Sequence, residues 1–221
     1  MRPPILVRAT VDGQDRLVTV SDSDPEPEPE SPGRLILVRH GATEWSMSGR
    51  HTGRTDPPLA QVGEGEARTL SARLLKFKPV VVFASPLRRA LDTSLLAGFG
   101  EDVVTDERLV EWDYGEFEGL TFFEIQQRRP GWKLFEDGAP SGESAADVGA
   151  RADSFLDSLR RDEQVRGRDA LVFAHGHLLC VLATRWLGLP AKLGRLLTLD
   201  SSGIGVLGWK RCEPVMERWN S

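Results

Sequence analysis

The sequence predicts an α/β fold, a three-layer sandwich in which a mostly parallel central sheet carries helices on both faces. Three short apolar runs, Leu35 to Val38, Val80 to Phe83 and Ala170 to Ala174, are of strand length and apolar throughout, as strands covered on both faces must be. Amphipathic helical stretches alternate with these runs, the pattern that folds into parallel strands joined by crossover helices. The first run also ends in Arg39-His40-Gly41 and the third in His175-Gly176-His177. Open α/β sheets place their ligands at such carboxyl ends.

Composition narrows what those ligands are. The 221 residues carry a formal net charge of −5. Neither nucleic acid nor an anionic membrane is an expected partner, since both require a broad basic face. Any anion site must be local. Cys180 and Cys212 show no metal-like spacing and suit a reducing compartment, so a cytoplasmic location is expected. No apolar run has the length of a membrane span, and the first residues lack a signal-peptide core. The sequence divides at residue 32. Residues 1–32 form an N-terminal extension in which Ile5 to Val20 can pair as a hairpin about Asp12-Gly13. The acidic, proline-rich run Ser21 to Pro32 reads as a disordered linker. Residues 33–221 are sized for one domain.

Along that domain, Ala42 to Pro58 is rich in Gly, Ser, Thr, Arg and Pro and reads as a loop at the carboxyl edge of the first strand. Leu59 to Phe77 carries a helical stripe of Val62, Ala67, Leu70 and Leu74, with acids early and bases late, as the helix dipole favours. After the second strand, Ser85 is expected to cap a helix with Pro86 at its first position. That puts Arg88 and Arg89 beside free N–H groups that attract anions. Leu109 to Gly119 is dense in acids and aromatics, with Asp113, Glu116 and Glu118 read as solvated. Helices are expected over Phe123 to Arg128, Ser144 to Leu159 and Leu178 to Leu187, and a last strand over Ile204 to Trp209.

Arg39, His40, Arg89 and His175 thus make a candidate site of two histidines and two arginines. Arginine forks match phosphate oxygens, and phosphoryl transfer is largely positioning plus charge neutralisation. A neutral imidazole in line with phosphorus can form a phosphohistidine and split the reaction in two. The leaving alkoxide then needs a proton from an acid on the opposite side. Of the acidic run, Glu111 is the best-placed acid. Arg50 and Arg54 are within reach of a second anionic group or else solvated, Trp45 and Trp112 wall the pocket or simply pack, and His51 is read as a loop residue with no part in proton transfer.

These residues resemble a known family. Arg39-His40-Gly41-Ala42-Thr43, Ser85-Pro86-Leu87-Arg88-Arg89-Ala90, Leu109-Val110-Glu111 with Tyr114-Gly115 and Glu118-Gly119, Ser141-Gly142-Glu143-Ser144 and Ala174-His175-Gly176 are similar, in order and spacing, to the motifs of the histidine phosphatase superfamily, in its phosphoglycerate mutase-like branch. The motifs are especially similar to those of sedoheptulose bisphosphatase-like and broad-specificity phosphatases. The resemblance implies the phosphoglycerate mutase-like fold, a phosphorylated nucleophile at His40 and a proton donor at Glu111, with Arg39, Arg89 and His175 stabilising the phosphoryl group. It further implies substrate contacts from Thr43, Ser46, Thr52, Gly53, Tyr114, Gly176 and His177, and neither cofactor nor metal.

Departures from the family pattern bear on activity. Ala42 replaces an acid or amide, Ser46 stands where asparagine is common, and Cys180 stands where the bisphosphatases carry arginine. Mutases have a longer, basic insert after the acid motif, whereas here only residues 120–141 separate Gly119 from Gly142, with Phe122 at the mutase lysine's place. A short, less basic lid admits water between half-reactions. The expected activity is therefore a phosphoric monoester hydrolase acting on a small phosphorylated metabolite such as a sugar phosphate or bisphosphate. The alternatives are a phosphoglycerate mutase and a non-catalytic phospho-ligand-binding module. A homo-oligomer is left open.

Overall fold

The computed structural model describes residues 5–11, 14–20 and 33–221, and these fall into two units. In the first, β1 (Ile5–Val11) pairs antiparallel with β2 (Gln14–Val20), with Val7 opposite Val18. The turn expected at Asp12-Gly13 and the expected linker lie outside the described residues.

The second unit is built on a six-stranded sheet. Its strands are β3 (Leu35–Arg39), β4 (Val81–Ala84), β5 (Val103–Thr105), β6 (Ala170–Ala174), β7 (Ile204–Lys210) and β8 (Glu213–Arg218), in the order β5-β4-β6-β3-β7-β8. The first four run parallel, β7 pairs antiparallel with β3, and β8 pairs antiparallel with β7. The helices are α1 (Glu44–Met47), α2 (Gln61–Leu74), α3 (Arg88–Leu96), α4 (Phe122–Arg128), α5 (Leu134–Asp137), α6 (Ala145–Arg161) and α7 (Gly176–Trp186). None of the helices among the described residues is long and apolar enough to cross a membrane.

The uninterrupted apolar strands follow from the three layers. Leu35 and Leu37 point to one face of the sheet, where Val172, Val148, Phe155 and Leu178 meet them. Ile36 and Val38 point to the other, against Phe173, Leu70 and Leu74. Alternate side chains on a strand face opposite ways, so both faces must be fed with apolar residues. Truncating Leu37 to alanine removes one such contact set and costs about 2–5 kcal/mol.

Several local expectations are corrected. Val62 is exposed, and α2 buries Gly63, Ala67, Leu70 and Leu74 instead. The reason is a backbone contact, because a Cβ on Gly63 would lie 2.1 Å from the Ala42 carbonyl oxygen. Ser85 does not cap a helix. Helix α3 starts at Arg88 behind Leu87, and the Ser85 hydroxyl is drawn to His175. Helix α7 begins at Gly176, two residues ahead of the expected start. The loop after β3 holds α1, closed by a capping box between Thr43 and Ser46. Strands β5 and β8 escaped the sequence pattern because both are edges, one of three residues and the other charged and interrupted by Pro214.

Candidate active site

Two adjacent parallel strands that end at one level put their next residues side by side. Arg39 of β3 pairs with Ala174 of β6, the His40 N–H donates to the Ala174 carbonyl at 2.9 Å, and the imidazoles of His40 and His175 meet edge-on with centroids 5.2 Å apart. His40 Nδ1 lies 2.7 Å from the Gly41 carbonyl oxygen. A carbonyl can only accept, so the proton sits on Nδ1 and Nε2 keeps its lone pair. Burial, with Arg39 and Arg89 adding to it, holds the His40 pKa well below its ordinary 6.5, so the ring is neutral.

His175 is bound differently. The Arg89 Nε–H donates to His175 Nδ1 at 3.2 Å, which leaves the His175 proton on Nε2, donating to Ser85 Oγ at 2.8 Å. Burial and then Arg89 push the His175 pKa well down. Arg89 has no exposed surface. Its guanidinium donates to the carbonyls of Thr52, Gly53 and Thr55 at 3.1, 3.0 and 2.9 Å, and Asp56 lies 3.5 Å away. Those carbonyls are held from the far side by Glu118, which accepts from the N–H groups of Gly53 and Thr55. Glu118 is therefore a structural carboxylate, contrary to its solvated reading. Asp113 is likewise engaged, by Gly115 N–H and Arg54, whereas Glu116 is exposed. Arg88 turns outward to Asp92, and the N-terminus of α3 takes the Asp56 carboxylate at 2.9 Å.

A cleft of about 500 Å³ opens over these strand ends, lined among others by Arg39, His40, Ser46, Thr52, Glu111, Tyr114, Gly176 and His177. Arg39 donates through NH1 to the Leu199 carbonyl at 2.6 Å, while its Nε is buried and has no partner among the described residues. An unpaired buried donor costs about 1–3 kcal/mol, a penalty that an entering anion relieves. Gly176 keeps that approach open, since a Cβ there would lie 3.2 Å from Arg39 Nε.

The Glu111 carboxylate is seated on the first turn of α7. Its Oε1 accepts from Trp112 N–H and Leu178 N–H at 2.8 and 2.9 Å, and Oε2 accepts from His177 N–H at 3.1 Å. Arg151 fixes the chain ahead of it, donating to the Val110 carbonyl at 2.6 Å and bridging to Glu143. Glu143 in turn accepts from Asp113 N–H, which explains why the Ser141–Ser144 motif accompanies the acid. Tyr114 Oη and His177 Nδ1 are hydrogen-bonded. Burial brings the His177 pKa to about 4 and, with the nearby Glu111, raises that of Tyr114.

The structure thus gathers nearly every residue singled out from the sequence, at two depths. Thr43, Gly53, Arg89 and His175 stand buried behind the cleft lining. Thr43 Oγ1 accepts from Ser46 N–H, and the Ser46 hydroxyl donates to the Thr43 carbonyl, so both hydroxyls serve the cap of α1. His51, Leu199 and Asp200 line the cleft and were not legible. The one signal for His51 was rarity, because the chain has four histidines and all four gather here.

A neutral imidazole with a free nitrogen, an unsatisfied arginine donor and a carboxylate around one cleft form a site for receiving a phosphoryl group. The chain belongs to the histidine phosphatase superfamily, branch 1, whose family model it matches over residues 35–221. It is 41% identical to the acid phosphatase of Mycobacterium tuberculosis, with 80% of this chain and 87% of that one aligned. It is 36% identical to the sedoheptulose 1,7-bisphosphatase of Saccharomyces cerevisiae over 72% and 69% of the two chains. The structure of a mycobacterial glucosyl-3-phosphoglycerate phosphatase in complex with VO3 superposes with a TM-score of 0.76 at 32% identity, covering 86% of this chain and 99% of that one.

Proposed function

We infer that the chain is a phosphoric monoester hydrolase that releases phosphate from a small metabolite through a phosphohistidine on His40. Nε2 of His40 attacks phosphorus, the bond to the ester oxygen breaks, and Glu111 gives that oxygen its proton. Water then attacks the phosphohistidine, its proton passing to the Glu111 carboxylate, and inorganic phosphate leaves. Arg39 Nε donates to the transferring group. Arg89, held by His175, adds its charge from beneath, where exclusion of water strengthens every charge. Thr52, Ser46, Tyr114, Gly176 and His177 contact the substrate, while Thr43 and Gly53 act by holding the walls.

The observation that carries this reading is the fixed tautomer of His40, with Nε2 free in a cleft that is also lined by Arg39, whose Nε has no partner among the described residues. Hydrolysis rather than mutase activity is favoured by the lid. Of residues 120–141 only Phe122 lines the cleft, and it is an exposed, uncharged residue at the rim. Purified protein should release inorganic phosphate from sugar monophosphates, and His40→Ala should not. Interconversion of 3- and 2-phosphoglycerate without phosphate release would establish the mutase instead.

A further inference from the structure

His51 has no part in the chemistry above, yet it is one of the most firmly held groups of the cleft. Its backbone N–H donates to the Leu120 carbonyl at 2.9 Å, and its own carbonyl accepts from Gly119 N–H at 2.8 Å. The ring Nδ1 is also 2.9 Å from the Leu120 oxygen. Since that oxygen only accepts, the proton is on Nδ1 and Nε2 carries the lone pair. Nε2 has no partner among the described residues and is not one of their buried unpaired atoms, so it opens to the cleft that the residue lines. Tyr114 and Trp132 meet the ring edge-on at 4.9 and 5.6 Å and fix its plane. Burial keeps the imidazole below its ordinary pKa and hence uncharged at neutral pH.

The rest of the cleft away from Arg39 is poor in free cations. Cys180 is neutral, its thiol pushed up to about 12 by burial. Phe122 is apolar, and Asp200 is a carboxylate. Arg50 donates to the Gly119 carbonyl at 2.6 Å and lies 3.8 Å from Glu124. A second phosphate would meet acceptors, the Asp200 carboxylate and, among the described residues, only Arg50 as a cation, already tied through one nitrogen, whereas hydroxyl groups would find partners throughout.

We propose that the cleft takes a monophosphate ester whose alcohol part is uncharged and hydroxylated, and that His51 Nε2 accepts a hydrogen bond from one of its hydroxyls. This rests on the phosphatase reading and narrows it to a substrate class, with His51 as a specificity-determining residue.

The test compares wild type, His51→Phe and His51→Gln on hexose monophosphates, a hexose bisphosphate and phenyl phosphate, which has no further hydroxyl. His51→Phe should lose roughly tenfold in kcat/KM on the hexose monophosphates, mainly through KM, the factor a neutral hydrogen bond supplies. Its phenyl phosphate hydrolysis should stay at the wild-type level. His51→Gln, whose amide oxygen can accept in place of Nε2, should recover most of the loss, and wild type should prefer mono- to bisphosphate. Equal losses on hexose and phenyl esters, no loss at all, or a preference for the bisphosphate would overturn this proposal alone. A wild type inert towards every ester would overturn the phosphatase reading as well.

Discussion

His40 and His175 occupy equivalent places, one residue beyond the ends of neighbouring strands, and burial pushes both pKa values down. Their partners make them different groups. His40 spends one nitrogen on the Gly41 carbonyl and keeps the other free. His175 spends both, on the Arg89 Nε–H and on Ser85 Oγ. A strand end brings a histidine to a cleft, and the second hydrogen bond decides whether it can act as a nucleophile or only hold charge and geometry.

Substitutions at the two positions should therefore differ in kind. Replacing His40 with alanine should lower phosphate release by about 10⁴-fold or more on every ester, since the neighbouring ring of His175 has both nitrogens spent. Glu111→Gln should cost about 10²–10⁴-fold on alkyl esters and far less on p-nitrophenyl phosphate, whose leaving group needs no proton. His175→Asn should cost less, about 10²–10³-fold, because it loosens the seat of the Arg89 guanidinium, whose charge stabilises the transferring group. It should also lower Tm, because Ser85 Oγ loses the ring donor, while the amide oxygen can still accept from Arg89 Nε. If His175→Asn is as inert as His40→Ala while remaining folded, the distinction between the two rings fails.

The pH dependence probes the feature they share. A histidine whose folded pKa is depressed stays neutral while the unfolded chain is already protonated, so its stabilising contribution is full above pH 6.5 and is lost as pH falls. For His177, with a folded pKa of about 4, the loss should span pH 6.5 to 4, and His177→Gln should flatten that part of the Tm profile. Phosphoenzyme formation from p-nitrophenyl phosphate, whose leaving group needs no proton, should show no fall centred on pH 6.5, because burial holds the His40 pKa well below that value. A fall centred near pH 6.5 would mean that the ring titrates freely. The smallest effect is expected at the thiols. Cys180 is buried with its pKa raised to about 12, so alkylation of the native protein should label exposed Cys212 alone and leave activity unchanged.

The floor of the cleft was legible because its residues are tied to regular elements. Apolar runs locate β3 and β6, their ends locate His40 and His175, and the Ser85-Pro86 signal, although the helix starts only at Arg88, locates Arg89 in the first turn of α3. The walls were much less so. His51 is held by a bridge between two loops, and Leu199 reaches Arg39 through a carbonyl that any residue would supply. Glu118 looked like one acid among several. Only the fold shows it gripping the N–H groups behind the Arg89 carbonyls. Sequence periodicity reports burial, and these contacts are made by backbone groups that carry no residue identity.

The central claim, that His40 rather than His175 forms the covalent intermediate, can be tested by rapid quench. The protein is mixed with a ³²P-labelled hexose monophosphate, stopped in alkali to preserve phosphohistidine, digested and mapped. Label on the peptide containing His40, absent from the His40→Ala variant and present at reduced level in His175→Asn, is the predicted result. Label on the peptide containing His175, or phosphate release in the His40→Ala variant at the wild-type rate, would contradict it.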